Sequence, residues 1–82
     1  MPVIESLVME KWTNNIIPKA RVFINDNYVM ESNENGTFAF EIPNGSYKLC
    51  VLIDNYENNC QTVNVISNMK LNIFMVPVFR SL

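Results

Sequence analysis

No histidine occurs among the 82 residues of this sequence, and there are only two glycines and two cysteines. Histidine supplies the base of Ser-His-Asp and Cys-His catalysis and is a common ligand of zinc and non-haem iron, so its absence excludes these triads and disfavours these metal sites. Gly36 and Gly45 stand nine positions apart, so there is no glycine-rich phosphate loop. We therefore predict that the chain is not an enzyme and that it binds no cofactor and no metal.

Basic residues are also few, with six Lys and Arg against eight Asp and Glu, a formal net charge of −2 and an isoelectric point near 4.9. A nucleic-acid partner requires a basic surface that neutralises successive phosphates, so we expect none. No apolar run approaches the roughly 20 residues that span a bilayer. Residues 1–10 lack the features of a signal peptide, so we expect no membrane span and no export signal, and the compartment stays open.

What the sequence contains in abundance is apolar residues that alternate with polar ones, which is the pattern of half-buried strands. The clearest run is 46–53, in which Tyr47, Leu49, Val51 and Ile53 share one face. Similar runs occupy 3–11, 19–25, 28–32, 37–42, 62–66 and 70–76. We predict an all-β fold, an antiparallel Greek-key β-sandwich of about seven strands, as a single domain over 1–82 with a core at 3–76 and a tail at 77–82.

Turn residues separate these runs and predict where the chain reverses. Asn35-Gly36 predicts a type I′ hairpin, because both central positions of that turn need a positive φ. Asp26-Asn27 predicts another tight hairpin, and Pro43-Asn44-Gly45 a further turn.

Three short blocks resemble the carboxypeptidase regulatory-like domains, which have a transthyretin-like (prealbumin-like) β-sandwich related to the immunoglobulin-like folds. The blocks are Ile17-Pro18-Lys19-Ala20-Arg21-Val22-Phe23-Ile24, Asn35-Gly36-Thr37-Phe38-Ala39-Phe40 and Ile42-Pro43-Asn44-Gly45-Ser46-Tyr47-Lys48-Leu49. They correspond to the family patterns P-x-A-x-V-x-I, D/N-G-x-F-x-F and L-P-x-G-x-Y-x-L, in the family's order. The resemblance implies a non-catalytic accessory module, since most members serve as such modules in larger secreted or surface proteins.

Cys50 and Cys60 are the only cysteines, and their state depends on strand register. A simple hairpin around 54–59 sets Ile53 opposite Cys60 and Cys50 opposite Val63, which holds the two sulfur atoms apart. We therefore predict free thiols. A disulfide would need a different topology and an oxidising compartment.

The positive indication of function is a set of apolar residues that alternate with the core positions: Phe23, Leu52, Phe74 and Val76. An antiparallel sandwich sheet usually presents a polar outer face, so these residues predict an exposed apolar patch if they share a sheet. The hypothesis is a structural or protein-interaction module that self-associates as a homo-oligomer or joins a larger assembly. Burial of the patch under the tail 77–82 is the alternative that needs no partner.

A second function class is a small ligand-binding or carbohydrate-binding domain, in which Trp12, Tyr28 and Tyr56 near turns stack on the ligand. Two rarer arrangements have the right residue types but not the right pattern. The oxygen ligands of Asp54, Asn55, Glu57 and Asn58 match no recognised calcium loop. Lys11, Glu41 and Asn72 have the chemistry of an isopeptide bond, but Glu41 and Asn72 alternate with core residues, so we expect all three exposed.

Overall fold

The computed structural model describes residues 1–79, and in that range the chain forms seven strands and no helix. The strands are β1 (Val3–Glu10), β2 (Arg21–Ile24), β3 (Asn27–Glu31), β4 (Thr37–Glu41), β5 (Gly45–Leu52), β6 (Asn59–Val65) and β7 (Met69–Met75). The all-β prediction is confirmed, and the largest difference in bounds is at β6, which begins at Asn59 rather than at 62. No helix in this range is long and apolar enough to cross a membrane.

The strands form two sheets, and the chain crosses from one sheet to the other several times. A three-stranded sheet has the order β4-β1-β7, and a four-stranded sheet has the order β3-β2-β5-β6. Of the strand pairs described, β1 with β7 is parallel and the others are antiparallel, so the expectation of a wholly antiparallel fold was wrong for this pair. Parallel neighbours need a crossover, and β2 to β6 provide it.

The inner faces of both sheets meet in one hydrophobic cluster, as in a two-layer sandwich. The three-stranded sheet supplies Ile4, Val8, Ile73 and Met75, and the four-stranded sheet supplies Val22, Leu49, Val51 and Val65; all eight are less than 2% exposed. The period-two alternation in the sequence therefore identified the inward side of most strands.

Two buried serines differ in how their hydroxyl groups are satisfied. Ser32, 3% exposed, accepts a hydrogen bond from the Ala20 amide at 2.9 Å and donates one to the Ile17 carbonyl at 2.8 Å. It thereby joins the end of β3 to the segment that leads into β2. Ser6, 6% exposed on β1, has no hydrogen-bond partner for its hydroxyl among the described residues.

The hairpin turns lie elsewhere than predicted. Asn25 and Asp26 both have positive φ, 48° and 69°, and form the two-residue turn between the paired Ile24 and Asn27, one position before the expected Asp26-Asn27. Asn35-Gly36 does not form a type I′ hairpin, because β3 and β4 belong to different sheets and only Gly36 has a positive φ, 76°.

Gly36 is required by a close approach rather than by a hairpin. Its carbonyl accepts a 2.8 Å hydrogen bond from the Val8 amide. A Cβ at this position would lie 3.0 Å from the Val8 carbonyl oxygen, so a side chain here would be strained by both φ and space.

Candidate functional site

Cys50 and Cys60 lie directly opposite each other on β5 and β6 and form a disulfide. Their Cα atoms are 4.1 Å apart, which is close to the spacing of a non-hydrogen-bonded antiparallel pair. The prediction of free thiols was wrong because the register differs: Val51 pairs with Asn59, so β6 starts earlier and the connection between the strands is 53–58 rather than 54–59. Sequence alternation alone does not determine register.

The disulfide belongs to a line of side chains that crosses all four strands of the four-stranded sheet. Phe23 on β2 pairs with Tyr28 on β3 and with Cys50 on β5, and Cys50 pairs with Cys60 on β6. Because paired residues on neighbouring strands point to the same face, these four side chains form one row on the outer face. We call Tyr28, Phe23, Cys50 and Cys60 the cross-strand row.

The aromatic end of the cross-strand row is well packed but open to solvent. The Phe23 and Tyr28 rings meet edge to face, with centroids 5.8 Å apart and planes at 73°. Tyr28 is 56% exposed. Leu52 pairs with Arg21, two residues before Phe23, and so lies diagonally next to Phe23 on the same face. Leu52 and Phe23 are both half-buried, and the row thereby extends into a small apolar surface.

Charged residues of both signs border this surface. On one side, Arg21 pairs across the strands with Glu31. On the other side, Lys48 Nζ lies 2.7 Å from Asp26 Oδ1, in a largely exposed ion pair. An exposed pair of this kind contributes about 0–1 kcal/mol to stability, so its main effect is on the electrostatic pattern around the row.

The structure divides the four predicted interface residues between the sheets. Phe23 and Leu52 share the outer face of the four-stranded sheet, whereas Phe74 lies on β7 of the three-stranded sheet and Val76 follows it. Phe74, 41% exposed, and Val76 line a depression of about 220 Å³ beside Cys60 at the β6 edge. A single patch of all four residues does not form, because alternation assigns a side of a strand but not its sheet.

The described part of the tail does not cover the apolar surface of Phe23 and Leu52. Pro77 pairs with Tyr56, and the Val78 amide donates a 2.9 Å hydrogen bond to the Asn55 carbonyl, so the chain here follows the β5–β6 loop. Phe79 is 85% exposed. The rest of the predicted tail, 80–82, lies outside the described residues.

The three aromatic residues of the ligand hypothesis are also divided. Tyr28 belongs to the cross-strand row. Tyr56 and Trp12 are instead connected through Glu10, because the Tyr56 hydroxyl donates a 2.7 Å hydrogen bond to Glu10 Oε1 and Trp12 follows Glu10 by two positions. Trp12 is 72% exposed in the connection between β1 and β2.

Hydrogen bonds change the acidity of this pair. Those from the Thr13 hydroxyl, at 2.6 Å, and from Tyr56 hold the pKa of Glu10 below its usual 4.5. The same bond to Glu10 raises the pKa of Tyr56 above 10.0, with burial adding to the effect.

The outer face of the three-stranded sheet carries both polar and apolar side chains. A groove of about 460 Å³ is lined mainly by β1, β4 and β7, with Met30 and Glu31 of β3 at one end. In it Glu5 pairs with Lys70, and Leu7 with Asn72. Its volume is within the range of small-ligand pockets, but it contains none of the predicted site residues. Thr37, Leu7 and Asn72 pair across its three strands in an uncharged row, but this row lacks the aromatic residues of the cross-strand row.

A solved structure has the same fold. It is a crystal structure from Bacteroides fragilis described as a "putative membrane-associated protein of unknown function", which aligns with this chain at a TM-score of 0.63 and 21% sequence identity. The alignment covers 96% of this chain and 28% of that one. No family model and no curated protein matches the chain. The likeness therefore extends to the fold alone.

Proposed function

We propose that this chain is a non-catalytic protein-interaction module that self-associates through the outer face of its four-stranded sheet. The observation that carries the proposal is the cross-strand row, an uncharged line of side chains that spans all four strands on a face that is usually polar. Tyr28 and Cys60 in this row are exposed, Phe23 is half-buried and Cys50 is 5% exposed. Removing apolar surface from water contributes about 25 cal/mol per Å², so covering Phe23, Tyr28 and Leu52 favours association. Aromatic rings and sulfur also contact each other favourably.

The occupant we propose is a second copy of the chain. The border of the row contains both signs of charge, with Arg21 near Glu31 and Lys48 bound to Asp26, so it is suited to meet its own copy across a two-fold axis. A partner of one uniform charge would face like charges on one side. The net charge of −2 is small enough that long-range repulsion between copies is weak.

We also propose that the sandwich is a Greek-key, transthyretin-like domain that serves within a larger protein or assembly. The support is indirect: the family-like blocks lead into β2, β4 and β5, and the chain passes between the sheets at four of its six connections. The Bacteroides neighbour, of which this fold occupies about a quarter, is consistent with a module of a longer chain. The disulfide favours an oxidising compartment.

Light scattering after size exclusion tests the self-association. We expect a mass near twice 9.5 kDa for the oxidised chain. Phe23→Glu places a charge in the cross-strand row and is expected to yield the monomer mass. Leu7→Glu places the same charge on β1 at the centre of the three-stranded sheet, away from the cross-strand row, and is expected to leave the dimer intact. Circular dichroism verifies that each variant is folded.

Two outcomes would contradict the proposed surface. The first is a wild-type chain that stays monomeric at the highest soluble concentration. The second is a dimer that Leu7→Glu dissociates and Phe23→Glu does not, which would transfer the interface to the three-stranded sheet.

A further inference from the structure

Trp12 adopts a backbone conformation that does not suit a tryptophan. Its φ is 75°, in the left-handed region that glycine and asparagine tolerate and bulky residues rarely enter. Asn14, two residues later, is also left-handed at 61°. The indole is nevertheless 72% exposed, so burial of the ring does not compensate for the strain. Strain of this kind persists where the surroundings enforce it, and it concentrates at functional sites.

Hydrogen bonds hold the loop in place. The Glu10 amide donates to the Asn15 carbonyl at 2.8 Å, and the Asn14 amide donates to the Glu10 carbonyl at 2.9 Å. The Lys11 amide donates to the Met75 carbonyl at 2.9 Å, which ties the loop to the end of β7. The indole is therefore presented on a fixed loop, so a ligand meets it with little ordering entropy to lose.

The residues next to Trp12 in the chain are polar, and one of them, Lys11, lies over the ring. Lys11 Nζ lies 5.3 Å from the ring centroid, and the Glu10 carboxylate is held by Thr13 and Tyr56. The amide side chains of Asn14 and Asn15 are exposed in the same loop. An exposed aromatic ring in a loop that also carries carboxylate, hydroxyl and amide groups suits a sugar ring, which offers an apolar C–H face and peripheral hydroxyl groups.

We propose that Trp12 is the stacking platform of a carbohydrate-binding site at this end of the molecule. One sugar ring lies against the indole, and its hydroxyl groups exchange hydrogen bonds with the carboxylate and amide groups of the loop. A lipid surface fits less well, because Glu10 is two residues from Trp12 in the chain and Lys11 is the single cation between Glu10 and Asn15. The site uses none of the cross-strand row, so it does not depend on self-association.

The chain has a single tryptophan, so its own fluorescence reports on the site. We would titrate the oxidised chain with cellohexaose, xylohexaose, chitohexaose and mannohexaose, and separately with phosphatidylglycerol vesicles. The expected result is a saturable change in emission with at least one oligosaccharide and none with vesicles.

Calorimetry with the oligosaccharide that binds then tests the role of the ring. Trp12→Ala is expected to weaken binding by about fivefold or more, because a stacked aromatic contact contributes on the order of 1 kcal/mol or above. Ile66→Ala removes another exposed apolar side chain, 82% exposed at the β6–β7 turn, and is expected to bind like the wild type.

Three results would overturn the proposal. They are no saturable response to any of the four oligosaccharides, a response to vesicles alone, and oligosaccharide binding that Trp12→Ala leaves unchanged. None of them bears on the dimer, whose mass is measured separately.

Discussion

Removing the hydroxyl of either buried serine is the same chemical change, yet the two variants should differ widely in stability. In Ser32→Ala, the Ala20 amide and the Ile17 carbonyl both lose their partner at buried positions. In Ser6→Ala, no described hydrogen bond is lost, because the Ser6 hydroxyl is buried without a partner. The two variants therefore separate the loss of hydrogen bonds from the loss of one buried oxygen atom.

The magnitudes follow from the number of groups left unpaired. Each buried group without a partner costs about 1–3 kcal/mol, so the two groups left by Ser32→Ala should together lower the free energy of unfolding by about 2–6 kcal/mol. For a domain of this size each 1 kcal/mol corresponds to a fall in Tm of roughly 4–8 °C. Ser6→Ala removes an unsatisfied group and should change the free energy of unfolding by less than about 1 kcal/mol, in either direction.

Urea and thermal denaturation, followed by circular dichroism under identical conditions, measure both variants. The wild type supplies the reference, and an unchanged urea m-value verifies that the two-state comparison is valid. Equal destabilisation by the two substitutions would refute the reasoning, since it would mean that the Ser32 hydrogen bonds contribute nothing to the free energy of unfolding.

Three further predictions concern the disulfide, the Glu10–Tyr56 pair and the Trp12 loop. Reducing the Cys50–Cys60 bridge, whose residues are 10 apart, should lower the free energy of unfolding measured in urea by about 2.5–3 kcal/mol. The stability of a Cys50→Ala/Cys60→Ala variant should not change with reductant. Equal stability of the oxidised and reduced wild type would contradict this. Tyr56→Phe should destabilise the chain at neutral pH. Because the pKa of Glu10 is lowered in the folded state, the difference in stability between wild type and variant is fully present above pH 4.5 and should shrink as the pH falls through the folded pKa. A difference in Tm that does not depend on pH would argue against the hydrogen bond. Trp12→Gly should raise the free energy of unfolding by about 0.5–1 kcal/mol by relieving the left-handed strain, whereas Trp12→Ala should not, and a destabilised glycine variant would exclude strain at this position.

The strands were predictable because alternation is a local property of the chain. Leu49 and Val51 point inward on β5, as their spacing predicts, and each predicted run corresponds to a strand in the structure. The turns were less predictable. A type I′ turn was expected at Asn35-Gly36, but the turn of this kind in the structure is at Asn25 and Asp26. A turn closes a hairpin only when the next strand joins the same sheet, and β4 joins the other sheet from β3.

The candidate sites were predictable residue by residue but not as groups. Phe23 and Leu52 were expected on a surface and do share one, while Phe74 is on the other sheet. Tyr28 was assigned to a ligand site with Trp12, yet it packs against Phe23. The left-handed conformation of Trp12 has no signal in the sequence, since tryptophan has no preference for it.

The composition and the period of two determined by themselves that this chain is all-β, where its strands lie and which side chains face the core, because both depend on neighbours a few residues apart. The pairing of β1 with β7, the opposition of Cys50 and Cys60, and the assembly of the cross-strand row were decided only by the tertiary structure. Each of these depends on strand register and on the choice of sheet. Both follow from how the whole core packs, and no short segment of the chain encodes them.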